Sequence, residues 1–140
     1  MNAAGAGPFV GQILPALEAP VLTRTVLALF AGASNDHNPI HIDIDVARAA
    51  GHRDVFAQGM LSMAFVGRCL TQWVPQHRIL RLRARFTSIS PVHARPTVTG
   101  QVISIEDGVA TVELKVALAD GTTTIAATAD VALDEGSPCI

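Results

Sequence analysis

The 140-residue sequence predicts an α+β domain in which an antiparallel sheet of about five strands wraps around one long buried helix. Three observations predict it. Beyond Gln76, apolar residues alternate with polar ones at a period of two, the pattern of strands with one buried and one wet face. Two pairs, Asp107-Gly108 and Asp120-Gly121, separate those runs at hairpin spacing, and Asp-Gly suits a type I′ turn with positive φ. Before Gln76, the segment from Gly59 to Val74 sets Met60, Leu61, Met63, Ala64, Phe65, Val66, Cys69, Leu70 and Trp73 around almost the whole circumference of a helix. A helix apolar on all sides must be enclosed by protein.

Taken in chain order, Phe9–Leu17 is expected to supply an N-terminal strand. A helix follows from Thr23 to Ala31, with Thr23 as its N-cap. Asp43 or Asp45 can cap a short helix through Ala50, which Gly51 stops. The long helix then runs to Val74, and Pro75 ends it. In Arg78–Phe86, Leu80, Leu82, Ala84 and Phe86 alternate with Arg81, Arg83 and Arg85. Thr97–Ile105 is expected to pair with Val109–Leu118, and that strand with Thr122–Leu133, giving an antiparallel meander. No repeat or linker divides the chain, so residues 1–140 read as a single domain with 1–7 and 134–140 as frayed ends.

Composition narrows the function. A hydrophobic fraction of 49% against 16% charged excludes a disordered tail protein. A formal charge of −2 gives no electrostatic reason to expect nucleic acid or an anionic membrane as partner. Cys69 and Cys139 have no metal-ligand or CxxC spacing and read as reduced thiols. The first basic residue is Arg24, and the longest apolar run, from Gly59 to Gly67, is too short to span a bilayer. A cytoplasmic location is therefore expected.

Chemistry concentrates in Phe30-Ala31-Gly32-Ala33-Ser34-Asn35-Asp36-His37-Asn38-Pro39-Ile40-His41. Pro39 interrupts helix between Asp36 and His41, so the segment is a shaped loop on which the two side chains can converge. A carboxylate that orients a water and an imidazole that titrates near neutrality are what water activation needs. Either residue can serve as the base on this pattern. Asn38 can brace the loop by bonding its own backbone. An Asp–His pair beside a proline can also be no more than a capped surface turn. A metal set of His37, His41, Asp43 and Asp45 ranks below the pair, because Pro39 spoils the helical spacing of the histidines. A second feature is Phe56-Ala57-Gln58-Gly59-Met60, where a glycine opens the long helix. Unpaired N–H groups and the positive dipole end there suit a developing oxyanion. The bland alternative is that Gly59 only permits close helix–sheet packing.

On these residues the chain resembles the MaoC-type (R)-specific enoyl-CoA hydratases of the hot-dog fold. The resemblance covers Val10-Gly11-Gln12-Ile13-Leu14-Pro15, the core Ser34-x-Asp36-x-Asn38-Pro39-Ile40-His41, and Gly59-Met60-Leu61. The chain is also similar to the dyad-bearing subunit of two-subunit (3R)-hydroxyacyl-ACP dehydratases. The resemblance implies reversible hydration of trans-2-enoyl thioesters to (3R)-3-hydroxyacyl thioesters. Asp36 and His41 would hold the water, and the Gly59 N–H would hold the thioester oxygen. Ser34, Asn38 and Pro39 would support the loop, while Phe56, Gln58 and Met60 would contact substrate. No metal or redox cofactor is implied. The substrate would be an acyl-CoA or acyl-ACP, and the protein a homodimer or larger, with a heterodimer as the variant. Three positions depart from the family pattern: Asn35 replaces a glycine, Gln58 a histidine and Phe30 a frequent tyrosine. Asparagine tolerates the left-handed backbone that glycine would adopt.

Two other functions fit the same fold class. A hot-dog thioesterase would place a carboxylate on or near the buried helix, yet Gly59–Val74 has no Asp or Glu. A subunit inactive without its partner is the other. The row Arg81, Arg83 and Arg85 could meet CoA phosphates, though such rows are more often solvated faces. His52, His77 and His93 are expected at the surface, Trp73 and Met63 in the core or an acyl tunnel. Ser62 is expected to bond back to its own helix.

Overall fold

A computed structural model describes residues 7–133; Cys139 and the expected frayed ends other than Gly7 lie outside them. Among the described residues, five strands form one antiparallel sheet: β1 (Leu17–Glu18), β2 (Ile79–Phe86), β3 (Thr97–Glu106), β4 (Val109–Ala117) and β5 (Thr123–Ala132). Their order is β1-β3-β4-β5-β2. The α-helices of the described residues, α1 (Arg24–Ser34), α2 (Ile44–Ala49) and α3 (Gly59–Trp73), all precede β2. The sheet curls around α3, and Val98, Val102, Val112, Val116, Ile125 and Val131 form its fully buried inner face. From α3, Phe65, Val66, Cys69 and Leu70 complete that core. Burial pushes the Cys69 thiol pKa up, and its S–H points at the Pro15 carbonyl, 3.6 Å away.

The meander forms as expected. Asp107 (φ 49) and Gly108 (φ 74) both take positive φ, the requirement of a type I′ hairpin. The second Asp-Gly turn differs: only Gly121 (φ 88) is left-handed, and Gly121 N–H donates to the Leu118 carbonyl at 2.9 Å. That is a longer loop closed by a glycine in the left-handed region, with one residue more than the two-residue turn expected.

The expected N-terminal strand over Phe9–Leu17 is shortened and displaced to Leu17–Glu18. Upstream of it a single bridge, Ile13 to Gln101, follows the edge of β3. Ile13 opposes Gln101 and Leu17 opposes Val98, so the N-terminal segment has one extra residue between the two pairings. Pro15, which has no N–H to donate, lies in that bulge.

Alternation of burial also fails at both ends of β2, and Phe86 at the far end is 52% exposed. Ile79 pairs with Val131 and Arg81 with Asp130, which leaves Leu80 as a bulge, and Leu80 is 49% exposed. β2 is an edge strand, so its side chains are covered from one side only. Nor is α3 enclosed all round. Leu61, Ser62, Phe65, Val66, Cys69 and Leu70 are buried, but Met60, Ala64, Arg68 and Thr71 form an open stripe on the opposite face. One five-stranded sheet covers one side of a helix, and Met60 and Ala64, beside Arg68 and Thr71 on the other side, do not by themselves bring a cover.

Candidate active site

Each part of the 30–41 segment has a local cause. Thr23 caps α1 by accepting from the Val26 N–H. The helix runs three residues past Ala31 and ends where Asn35 turns left-handed (φ 60, ψ 21). A side chain seldom takes that conformation, and asparagine is among the few that do. Ser34 Oγ donates to the Phe30 carbonyl at 2.7 Å and accepts from the Asp36 N–H, closing the turn from inside. Asp36 Oδ1 accepts from the Asn38 N–H, and Asn38 Oδ1 accepts from the Ile40 N–H. Pro39 then opens a 3-10 turn, Pro39–His41, in which it needs no donor. Asp43 caps α2 by accepting from the Asp45 N–H, and Gly51 (φ 91) follows the helix.

These turns bring Asp36 and His41 together. His41 Nε2 lies 3.9 Å from Asp36 Oδ2, with the His41 side chain 11% exposed and that of Asp36 42%. The separation is too long for a direct hydrogen bond and suits one water held between the two. The opposite ring nitrogen, Nδ1, lies 2.7 Å from the Phe56 carbonyl oxygen. A carbonyl only accepts, so Nδ1 carries the hydrogen, and in the neutral ring Nε2 presents a lone pair towards Asp36. The Phe56 ring meets His41 edge-on with centroids 5.1 Å apart, and the His52 ring packs against it, tilted, at 4.7 Å.

Phe56 joins this pair to the start of α3. Its backbone bridges to Pro91, and the Ala57 N–H donates to the Ser90 carbonyl at 2.9 Å, tying the segment to the loop after β2. A cavity of about 320 Å³ opens there, lined by Phe56, Gly59, Ser62, Phe86, Ser90 and Thr124 among others. Gly59 is the first residue of a 15-residue helix, so its N–H has no intrahelical acceptor. A side chain at that position would press on Phe86, whose ring carbon would be 3.0 Å from the added Cβ. Gly59 therefore does permit close packing, and it also lines the cavity.

The expected site residues separate into two groups. Asp36, His41, Ser34, Asn38 and Pro39 form one hydrogen-bonded turn, and Phe56 links it to Gly59. Asp36 and His41 adjoin the cavity through Phe56 and do not line it. Gln58 and Met60 point elsewhere. Gln58 is fully buried, its Nε2 donating to the Leu27 carbonyl of α1, with Oε1 unpartnered among the described residues. Met60 is 56% exposed on the open stripe of α3. Ser62 does not bond back to its helix; its hydroxyl meets that of Ser90 at 3.4 Å. Ser90, Thr124 and Phe86 went unnoticed as cavity residues because they belong to no motif, and the loop after β2 has no periodicity. His93 (φ 70) is exposed as expected and also lies 3.3 Å from Arg24 Nη1, while Arg24 pairs with Asp54. Arg81 lies 3.9 Å from Asp130, so that arginine has a carboxylate on its own sheet.

The model of the MaoC like domain matches residues 12–131. The chain belongs to the MaoC-like family. Relatives of this MaoC-like domain carry several names. A UPF0336 protein of Clavibacter michiganensis is 30% identical over 79% of this chain and 82% of its own. The beta subunit of a 3-oxo-4,17-pregnadiene-20-carboxyl-CoA hydratase from Mycobacterium tuberculosis is 30% identical over 75% of this chain and 81% of its own. Among solved structures, the ChsH1-ChsH2 complex from M. tuberculosis superposes with a TM-score of 0.81 at 26% identity, over 90% of this chain and 98% of that one. The (R)-hydratase of A. caviae superposes at 0.82 with 23% identity, over 93% of this chain and 100% of that one, and shows the hot-dog fold. No helix among the described residues is long and apolar enough to cross a membrane.

Proposed function

We propose that this MaoC-like domain is a hydro-lyase that adds water reversibly to a trans-2-enoyl thioester of CoA or ACP, giving the (3R)-3-hydroxyacyl thioester. The observation that carries the reading is the His41–Phe56 hydrogen bond. It holds the proton on Nδ1 and turns the Nε2 lone pair towards Asp36 Oδ2. In the hydration direction Asp36 Oδ2 accepts one hydrogen of the water and aims it. His41 Nε2 removes the other as the water oxygen bonds to C3. The electron pair of the double bond moves onto the thioester oxygen, which the Gly59 N–H receives. His41 then delivers its proton to C2. General base catalysis of this kind contributes roughly 10²–10⁴-fold, and one oxyanion donor about 3 kcal/mol. The reaction is redox-neutral and balanced by water alone, so no metal or cofactor is proposed.

The relatives named as hydratases and dehydratases support the reaction class. The absence of Asp and Glu from α3 argues against the thioesterase alternative. Homodimerisation, or pairing with a related subunit, is part of the same reading. The outer edge of β2 pairs with no described strand, and the open stripe of α3 lies uncovered. The test is loss of enoyl-thioester absorbance with crotonyl-CoA, with Asp36→Asn as control. Turnover falling at least 100-fold in the variant is expected. Equal turnover by folded Asp36→Asn protein, or release of free CoA thiol in place of hydration, would overturn the proposal.

A further inference from the structure

The cavity beside Gly59 is not a plain hydrocarbon slot. Two of its lining side chains, Ser62 on α3 and Ser90 on the loop after β2, are 2% and 4% exposed. Their hydroxyls are 3.4 Å apart, and that is the one hydrogen bond either side chain makes among the described residues. Each hydroxyl owns one hydrogen. A single mutual bond uses one of the two, so the other has no acceptor. Their neighbours on the wall are different: Thr87 donates to the Thr123 carbonyl at 2.7 Å and Thr124 to the Val116 carbonyl at 3.4 Å. Two backbone carbonyls thus occupy the threonine hydrogens, and the serine pair retains a spare donor.

A buried donor without a partner is costly, and native proteins seldom keep one that nothing uses. Ser62 stands three residues after Gly59, about 4.5 Å further along the helix axis. Helical side chains lean back towards the N-terminus, so its hydroxyl lies over the turn that Gly59 begins. An acyl chain whose thioester oxygen rests on the Gly59 N–H would pass this pair within three or four bonds.

We infer that the Ser62–Ser90 pair is a specificity element for an acyl group bearing an oxygen acceptor, a keto or ether oxygen, close to the thioester. The substrate class is then an oxygenated enoyl thioester, and an unbranched alkyl chain fills the cavity without satisfying the pair. The inference rests on the hydratase reading for the placement of the thioester. It is tested by a property that needs no turnover.

Binding of saturated, unreactive CoA thioesters to the intact protein is measured by calorimetry. The 4-oxopentanoyl and 5-oxohexanoyl thioesters are compared with their shape-matched 4-methylpentanoyl and 5-methylhexanoyl counterparts. At least one keto ligand is expected to bind about tenfold more tightly than its methyl partner, the effect of one hydrogen bond to a buried donor. Ser62→Ala and Ser90→Ala are each expected to erase that preference while leaving the methyl ligands within about twofold. Crotonyl-CoA turnover is followed in the same variants. No keto preference in the unaltered protein would overturn the inference, as would Ser62→Ala and Ser90→Ala proteins that keep it. Variants that weaken keto and methyl ligands alike would do so too, since the serines would then only shape the cavity. Failure to hydrate both crotonyl-CoA and 5-oxohex-2-enoyl-CoA alongside an intact keto preference would count against the hydratase reading and not against this pair.

Discussion

Gly59→Ala separates the chemical role proposed for the α3 N-terminus from its structural one. The added methyl would lie 3.0 Å from Phe86 Cε1 and 3.2 Å from Cδ1. Carbon atoms pack favourably at about 3.5–4.0 Å, so the ring must retreat by at least about half an ångström. Phe86 ends an edge strand and is 52% exposed, so it can swing without disturbing the core. Overpacking against a rigid neighbour costs about 1–3 kcal/mol. Here the exposure of the ring lowers that cost, and alanine improves on glycine in a helix by up to about 1 kcal/mol. The net change in stability is expected within about 1 kcal/mol, or about 4 °C in Tm for a domain of this size. Activity is expected to respond differently, because Gly59 and Phe86 line the same cavity and the methyl narrows it next to the N–H proposed as oxyanion donor. A kcat loss of about 10-fold to 100-fold is expected, below the full loss of such a donor. Thermal unfolding and crotonyl-CoA hydration read the two effects on one sample. Adding Phe86→Leu to Gly59→Ala should restore part of the rate. Full activity in Gly59→Ala, or a Tm fall above about 10 °C, would refute the reasoning.

Three further outcomes follow from particular contacts. Gln58→Met removes a hydrogen bond to a carbonyl of α1 together with the unpartnered Oε1, so unfolding free energy should change by less than about 1 kcal/mol; a loss above about 3 kcal/mol in denaturant titration would contradict this. The Asp120 pKa is lowered, chiefly by the hydrogen bond its carboxylate accepts from the Thr122 backbone N–H. Its contribution to stability is therefore complete above the ordinary carboxylate range and is lost as pH falls towards the lower folded value. Asp120→Asn should flatten that acid limb, and an unchanged pH–stability curve would show that the turn does not depend on the charge. Light scattering at micromolar concentration should return a mass of at least two chains, since the β2 edge and the α3 stripe are uncovered in one chain; a monomer would contradict it.

Much of the site was legible because its geometry is local. Asp36 and His41 are brought together by turns that Asn35, Asn38 and Pro39 dictate within a few residues, through left-handed backbone and side-chain-to-backbone bonds. The meander was legible for the same reason: a period of two, punctuated by Asp-Gly, specifies neighbours joined by short turns. Gln58 misled because its place in the motif suggested substrate, while its long side chain found α1 across the core. The N-terminal strand was misplaced because a bulge at Pro15 shifts register, and no local pattern announces a bulge.

The sequence by itself thus determined the fold class, the shaped 34–41 turn with its Asp–His pair, and the glycine at the head of the long helix. Each of these follows from backbone preferences and periodicities that act over a few residues. Only the tertiary structure decided which nitrogen of His41 carries the hydrogen, because that depends on the Phe56 carbonyl 15 residues away. It likewise decided that β2 lies at an edge beside β5, that one face of α3 stays open, and that Ser62 meets Ser90 across 28 residues. Such contacts are set by how the sheet closes on the helix, a property of the whole packed chain that no segment encodes alone.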